Sequence, residues 1–169
     1  MIIENVTPAD IDTVFDLYRI AADYQRSKQT VVVWPEFDRT MVETEIRELR
    51  QWKLLIDGRV ACIWATTFSD EQIWEERNQD AAVYIHRIAT HPDFRGQHFV
   101  KRIVDWARTY ARLHHKDFIR LDTLDRNTGL IRHYTASGFD FLGMFHMQDT
   151  EGLPEHYHGK PVCLFQIPL

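Results

Sequence analysis

The stretch that decides the fold runs from Val83 to Val104 and changes character twice. It reads VYIHRIAT over residues 83–90, HPDFRGQ over residues 91–97 and HFVKRIV over residues 98–104. The first part is rich in β-branched and aromatic residues, the second contains a Pro and a Gly, and the third begins an amphipathic helical pattern. The stretch therefore predicts a strand, a tight turn and a helix.

This junction is typical of an anion-binding site. The first N–H groups of a helix have no intrahelical partners, and the helix dipole adds partial positive charge at the same end. A phosphate is the group that such a helix start most naturally binds. We therefore expect a phosphate-bearing ligand at the start of the helix.

Composition narrows the class of protein. The 169-residue chain is 44% hydrophobic and 12% aromatic, enough for the core of one domain spanning residues 1–169. A formal net charge of −5 argues against a general nucleic-acid-binding protein, which would present a basic face.

Cys62 and Cys163 lie far apart and lack metal-type spacing, so we expect two reduced, buried thiols. The chain shows no signal-peptide pattern and no apolar run near the ~20 residues that span a bilayer, so we expect a cytoplasmic protein without a membrane partner.

Periodicity outside this stretch predicts an α/β fold. Apolar residues at helical spacing predict helices over residues 8–26, 39–51 and 127–137, in addition to the helix that follows the turn. Strands are predicted over residues 2–6, 53–56, 59–68, 82–90, 118–123, 139–147 and 161–167. Asp57-Gly58 predicts a tight hairpin turn, and residues 69–80 a loop with one helical turn. The strand over residues 82–90, the next helix and the strand over residues 118–123 form a βαβ unit with a parallel pair.

Two motifs in this order resemble those of the GNAT superfamily of acyl-CoA-dependent N-acetyltransferases. The first is the turn Pro92-Asp93-Phe94-Arg95-Gly96, and the second is NTGLIRHYTASGF over residues 127–139. The second motif has Asn, then Tyr seven residues later, then Gly-Phe. The resemblance covers nearly the whole chain and is sharpest from Tyr84 to Phe139. It implies an α/β (α+β) fold whose mixed, mostly antiparallel sheet is splayed at a central parallel pair and flanked by helices.

The resemblance implies acetyl-CoA as co-substrate and assigns residues to it. Backbone groups of Ile88, Ala89 and Thr90 would pair with pantetheine as an added strand would. Asn127 and Tyr134 would contact the cofactor from the second motif. The turn and helix start would hold the pyrophosphate through Arg95, Gly96, Gln97, His98, Phe99, Val100 and Lys101. No metal is expected, since the pairs His114/His115 and His156/His158 lack the helical i, i+4 spacing.

The pyrophosphate turn departs from the family pattern at two positions. The family motif is Arg or Gln, two residues, Gly, one residue, then Gly or Ala, and it begins here at Arg95. His98 and Val100 stand where the motif has small residues that let the backbone approach phosphate closely. We therefore expect a weakened or re-angled pyrophosphate site that is not lost.

The resemblance also implies catalytic roles. Tyr134 matches the family tyrosine near the CoA sulfur, where its phenol can protonate the departing thiolate. Residues 84–91, YIHRIATH, are similar to those of arylalkylamine N-acetyltransferases, in which a histidine at the position of His86 helps deprotonate the amine through water. His86 has an intrinsic pKa near the operating pH. Glu75, Glu76 or water are alternative bases. A backbone N–H near Ile88 would polarise the thioester carbonyl.

The predicted acceptor is a small-molecule amine or a peptide. Trp34, Trp74, Glu75 and Tyr84 are the predicted acceptor-binding residues, because aromatic and acidic side chains suit a cationic amine. The connection over residues 27–38 is expected near this pocket. No nucleic-acid partner is expected, and a homodimer is compatible with the pattern.

A rival hypothesis is a non-catalytic acyl-CoA-binding or sensing domain that keeps the GNAT fold. His98 and Val100 favour it, whereas Tyr134 argues for an enzyme. A third hypothesis is an interaction module with an empty cofactor cleft.

Overall fold

The computed structural model describes residues 1–124 and 127–169. The strands are β1 Ile2–Asn5, β2 Gln51–Ile56, β3 Arg59–Thr67, β4 Ala82–Thr90, β5 Phe118–Leu124, β6 Asp140–Phe145 and β7 Val162–Pro168. The α-helices are α1 Ile11–Ser27, α2 Arg39–Arg47, α3 Glu71–Trp74, α4 Phe99–Leu113 and α5 Thr128–Ala136. Short 3-10 turns cover Pro8–Asp10, Glu75–Gln79, Pro92–Phe94 and Glu155–Tyr157.

Strand pairing confirms the predicted mixed, mostly antiparallel sheet with one parallel pair. The strand order is β1-β2-β3-β4-β5-β7-β6. The pairs β1/β2, β2/β3, β5/β7 and β6/β7 are antiparallel, whereas β4 and β5 pair in parallel. The parallel register joins Ala82–Tyr84 to residues 118–120, and within the described residues it extends no further along β4.

Contacts divide the chain into two units, and unit 1 comprises Met1–Thr66 and His86–Gln97. Helices α1 and α2 bury apolar faces there, since Leu17, Val42 and Ile46 join one core cluster with Ile63. The turn between β2 and β3 has positive φ at both central residues, 50° at Asp57 and 76° at Gly58. This conformation matches the twist of a two-residue hairpin, so the predicted hairpin is confirmed.

Unit 2 comprises Thr67–Ile85 and His98–Leu169. Helix α4 buries one face at helical spacing, as predicted, through Phe99, Val100, Ile103, Val104, Ala107 and Ala111. Tyr110 is only partly buried and stacks on Trp106 with ring centroids 4.9 Å apart. A second core cluster contains Ile73, Trp74, Ala82, Tyr84, Val162 and Leu164.

Element ends differ from the predictions where tertiary pairing intervenes. Helix α2 was expected to reach Gln51 but ends at Arg47, because Leu49 takes a left-handed φ of 58° and Gln51 opens β2. Gln51 pairs there with Ala65 across the hairpin. Residues 69–80 contain α3 and a 3-10 turn, which is more helix than the single predicted turn.

Both cysteines are free and buried, as expected. Burial raises the pKa of the Cys62 thiol to about 12, although contacts with Thr90 and Ile63 oppose the shift. Among the described residues, none of the helices combines the length and apolar character that a bilayer crossing requires.

Candidate active site

Strand β4 changes conformation in its second half. Arg87 has a φ of 51°, a left-handed conformation in the interior of a strand, where a non-glycine residue is strained. Such a residue breaks the alternation of side chains and re-aims the backbone that follows it. The affected backbone is Ile88–Thr90, which the sequence assigned to pantetheine.

Buried polar contacts within unit 1 hold Arg87 in this conformation. Its guanidinium pairs with the Glu45 carboxylate, and its Nε donates to the Tyr18 hydroxyl at 3.2 Å. Gln51 Nε2 donates to the same hydroxyl at 3.1 Å and to Glu45 at 2.8 Å. Burial acts to lower the pKa of Arg87, but the attraction of Tyr18 and Glu45 raises that pKa above its usual value. Arg87 therefore stays charged and anchors β4 to α1 and α2.

His86 precedes this residue and has a strongly shifted pKa. Burial, together with the positive charges of Arg87 and Arg50, lowers the pKa of His86 to about 3. The expected pKa near neutrality is therefore wrong for this environment. At physiological pH the imidazole is neutral, so it can accept a proton, but it is a weak base.

The turn after β4 is held by a hydrogen bond of its own and by contacts with β3 and α1. His91 Nδ1 accepts from the Asp93 backbone N–H at 3.2 Å, and Arg59 pairs with the Asp93 carboxylate at 2.5 Å. The hydrogen bond from Arg59 lowers the pKa of Asp93. Arg95 stacks over the Tyr24 ring, with its guanidinium carbon 4.2 Å from the ring centroid. Gly96 has a φ of 79°, the conformation for which glycine is suited.

Helix α4 begins at this turn, as predicted. His98 is its N-cap and has a φ of 54°, so a residue with a side chain occupies a left-handed position. Phe99 and Val100 are buried, whereas Lys101 is exposed. Val100 is therefore a core residue, which explains an apolar side chain where the family motif has a small residue.

The second motif forms helix α5 together with its N-terminal cap. Asn127 Oδ1 accepts from the backbone N–H groups of Gly129 and Leu130 at 3.0 and 3.1 Å. Tyr134 is half-buried, and its ring lies 5.3 Å from that of Phe165 and 6.0 Å from that of Phe139. The ring of Tyr134 is therefore held by packing against Phe165 and Phe139.

His133 is a residue that the sequence reasoning missed. Burial lowers its pKa, and the electrostatic influence of His98 lowers that pKa further. His98 and His133 both belong to unit 2. Only the spacing to Tyr134, one residue later, could have pointed to His133.

The four predicted acceptor-binding residues fall in different settings. In unit 1, Trp34 is partly exposed and lies against Tyr18, with ring centroids 5.9 Å apart. In unit 2, Trp74 and Tyr84 are 1% and 0% exposed and lie in one core cluster. Glu75 is exposed, and its carboxylate accepts from the Gln148 N–H at 3.1 Å. Trp34 is therefore the aromatic member of the set with an accessible face.

Two carboxylates in unit 2 were also missed. Oxygens of Asp70 and Asp122 lie within 4.8 Å of each other, and the Tyr157 hydroxyl donates to Asp122 at 3.0 Å. Burial raises the pKa of both, and the negative charge of Asp122 raises that of Asp70 further. The pair therefore tends to retain a proton. A single Asp in a strand pattern gives no sign of such a pair.

A cavity of about 890 Å³ opens within unit 1 between α1 and residues 34–39. Phe15, Tyr18, Trp34 and Phe37 contribute its aromatic surface. Arginine and carboxylate side chains also line it. It is large enough for a small organic ligand.

The chain matches known acetyltransferases in sequence and fold. The model of the acetyltransferase (GNAT) family matches residues 15–139. An uncharacterized N-acetyltransferase of Bacillus subtilis, YesJ, is 31% identical over 74 residues, which are 44% of this chain and 41% of that protein. The match thus spans less than half the length of this relative.

Solved structures share the fold over nearly the whole chain. An acetyltransferase of the GNAT family from Listeria monocytogenes superposes with a TM-score of 0.78 and 23% identity, covering 99% of this chain and 94% of that one. The yncA protein of Salmonella typhimurium, solved with its cofactor acetyl-CoA, has a TM-score of 0.68 and 16% identity, with 100% and 94% covered. The ribosomal-protein-alanine N-acetyltransferase of Brucella melitensis has a TM-score of 0.70 and 15% identity, with both chains fully covered at 100%. Because the family model matches most of the sequence, this chain belongs to the GNAT acetyltransferase family.

Proposed function

We propose that this protein is an N-acetyltransferase that moves an acetyl group from acetyl-CoA to a primary amine. The observation that carries the proposal is strand β4, whose parallel register with β5 covers Ala82–Tyr84 and which leads into the turn at the start of α4. A strand with backbone groups available beyond its register can pair with an extended ligand. The helix start that follows suits a diphosphate.

The proposed cofactor site uses backbone more than side chains. Ile88, Ala89 and Thr90 would pair with pantetheine, and residues 95–101 would surround the pyrophosphate. Acetyl-CoA in the yncA structure, which has the same fold, supports this co-substrate. A protonated His98 would add positive charge beside the pyrophosphate, at a position where the family motif has a small residue.

The proposed chemistry needs a proton acceptor and a proton donor. The neutral amine forms the C–N bond to the acetyl carbon, the C–S bond breaks, and the CoA thiolate takes a proton. Tyr134 would donate that proton, and a backbone N–H near Ile88 would stabilise the developing oxyanion. His86, acting through water, would accept the proton that the amine loses. Glu75 is a weaker candidate, because its carboxylate already binds the Gln148 N–H.

Titration calorimetry with CoA and acetyl-CoA, followed by a free-thiol assay over an amine panel, tests the proposal. We expect both CoA and acetyl-CoA to bind. With at least one amine in the panel, the protein should release the free thiol of CoA from acetyl-CoA. Binding without turnover across the panel would support the rival, a non-catalytic acyl-CoA-binding domain. His98 and the buried Val100 are the features of the pyrophosphate turn that favour that rival.

A Tyr134→Phe variant tests the acid role. We expect kcat to fall by about 10²-fold or more, since general acid catalysis typically contributes 10²–10⁴-fold. The Kd for CoA should change little, because the ring packing on Phe165 is retained. Full turnover by this variant would remove Tyr134 from the mechanism.

A further inference from the structure

The outer face of helix α4, in unit 2, carries a stack of aromatic rings. Trp106, Tyr110 and His114 follow one another at intervals of four residues, the spacing of neighbours on a helix surface. The Trp106 and Tyr110 rings stack with centroids 4.9 Å apart and planes inclined by 18°. Phe68, which follows β3, stacks on Tyr110 with centroids 5.9 Å apart, and the Lys116 ammonium lies 4.6 Å from the Phe68 centroid. The rings therefore hold one another in place.

This stack is open to solvent. Phe68 is 38% exposed, and Trp106 and Tyr110 are partly exposed. Leu113, three residues after Tyr110, is 72% exposed. Aromatic side chains are enriched where one protein binds another, and large apolar side chains grouped at a surface mark such sites. The outer face of α4 therefore has the composition of an interaction surface.

The same segment is basic in a chain that is acidic overall. Residues 98–116 contain five lysines and arginines with Asp105 as the single acid, whereas the whole chain has a net charge of −5. The basic residues are Lys101, Arg102, Arg108, Arg112 and Lys116. Arg102 and Arg112 are exposed, and neither forms an ion pair with any residue that the structure describes. Charge complementarity favours a partner that carries carboxylates, which guanidinium groups bind through two parallel hydrogen bonds.

Three other occupants fit this face less well. A second copy of the chain, meeting through the same face, would place basic residues against basic residues. A bilayer surface takes up the apolar face of a helix, and the apolar face of α4 is already buried. A single-stranded nucleic acid stacks its bases on aromatic rings, whereas Tyr110 already stacks on Trp106 and Phe68.

We infer that the outer face of α4 binds an acidic peptide segment of a partner protein, one that also carries aromatic side chains. The face consists of Phe68, Trp106, Tyr110, Leu113, Arg102 and Arg112. Aromatic side chains of the partner lie against Trp106 and Leu113, and its carboxylates pair with Arg102 and Arg112. The inference goes beyond the proposed acetyl transfer and uses none of the residues assigned to that reaction.

Calorimetric titration of the full chain with a random copolymer of glutamate and tyrosine tests the inference. We expect binding that weakens from low to physiological salt, because salt screens charges at a surface. Trp106→Ala should weaken binding about tenfold or more, and the double variant Arg102→Gln with Arg112→Gln about fivefold. Since both arginines are exposed, the double variant should fold even if Trp106→Ala does not.

Matched controls separate this face from general effects. Phe141→Ala removes a ring from strand β6 that is 38% exposed, the same fraction as Phe68. The double variant Arg19→Gln with Arg47→Gln removes two exposed positive charges from α1 and α2, so its net charge equals that of the α4 double variant. Both controls should bind the copolymer as tightly as the unaltered chain.

Several results would overturn the inference. They are the absence of copolymer binding, equal affinity for polyglutamate, which has no rings, and unchanged affinity in a folded α4 variant. Tighter binding of phosphatidylglycerol vesicles or of a single-stranded oligothymidylate would assign the face to a membrane or to a nucleic acid instead. A dimer in analytical ultracentrifugation that Trp106→Ala dissociates would assign it to a second copy.

Discussion

The Glu45–Arg87 ion pair of unit 1 is the interaction whose loss we expect to cost most. The two side chains are only 7% and 14% exposed. Glu45→Gln keeps the shape of the side chain but leaves the Arg87 guanidinium buried without its carboxylate. Removing one partner of a buried pair typically costs about 3–5 kcal/mol, far more than the pair gains over apolar replacements. For a chain of this size, that loss corresponds to a fall in Tm of roughly 6–20 °C.

Urea unfolding and calorimetry measure this loss, and Glu43→Gln is the matched control. Glu43 lies two residues earlier and pairs with Arg39 at 3.1 Å, but both side chains are at least half exposed. Its substitution should cost under about 0.5 kcal/mol. A double variant, Glu45→Met with Arg87→Met, should recover much of the loss, because no buried charge is left unpaired.

The reasoning would be refuted if Glu45→Gln cost no more than Glu43→Gln. It would also be refuted if the double variant were less stable than Glu45→Gln alone. In the first case Arg87 would be reaching water in solution. In the second case the left-handed conformation of Arg87 would depend on the side chain itself and not on the pairing of its charge.

Further predictions concern pH, thiol reactivity and the turn. Because the pKa of His86 is about 3 in the folded state and near 6.5 unfolded, the unfolded state binds the proton more readily between these values. Stability should therefore fall as pH drops from 6.5 towards 3, and His86→Gln should flatten this slope in acid-unfolding curves. Cys62 and Cys163 should resist a thiol reagent at pH 8 while folded and react on unfolding, since both are buried; fast labelling of the native protein would contradict this. Gly96→Ala should cost about 1–2 kcal/mol in urea unfolding, because its φ of 79° disfavours a side chain, whereas Gln97→Ala should be nearly neutral.

Local signals predicted most of the elements. Asp57-Gly58 marked the hairpin, Asn127 the cap of α5, and the apolar spacing from Phe99 to Ala111 the buried face of α4. Each of these signals acts over a few residues, since caps, turns and periodicity depend on neighbours in sequence. The motif around Tyr134 also pointed to the family that the comparisons show.

Long-range contacts account for what the sequence reasoning missed. Helix α2 stops at Arg47 because Gln51 is taken up in strand pairing. Strand β7 pairs between β5 and β6, an order that sequence spacing does not encode. Asp70 and Asp122 lie about fifty residues apart in the sequence but close together in the fold. Sequence reasoning expects a single aspartate to be a surface residue, so it did not predict this buried pair.

The amino-acid order by itself determined where helices, strands and turns form and which motif stands at the start of α4, because those depend on backbone preferences and short spacings. Tertiary structure alone decided the left-handed conformation of Arg87, the low pKa of His86 and the aromatic cavity beside α1. Each of these depends on burial and on charges brought together from distant segments, as when Tyr18, Glu45 and Gln51 converge on one guanidinium. Desolvation and electrostatic pairing act through space, so their outcome at a residue is set by the folded environment.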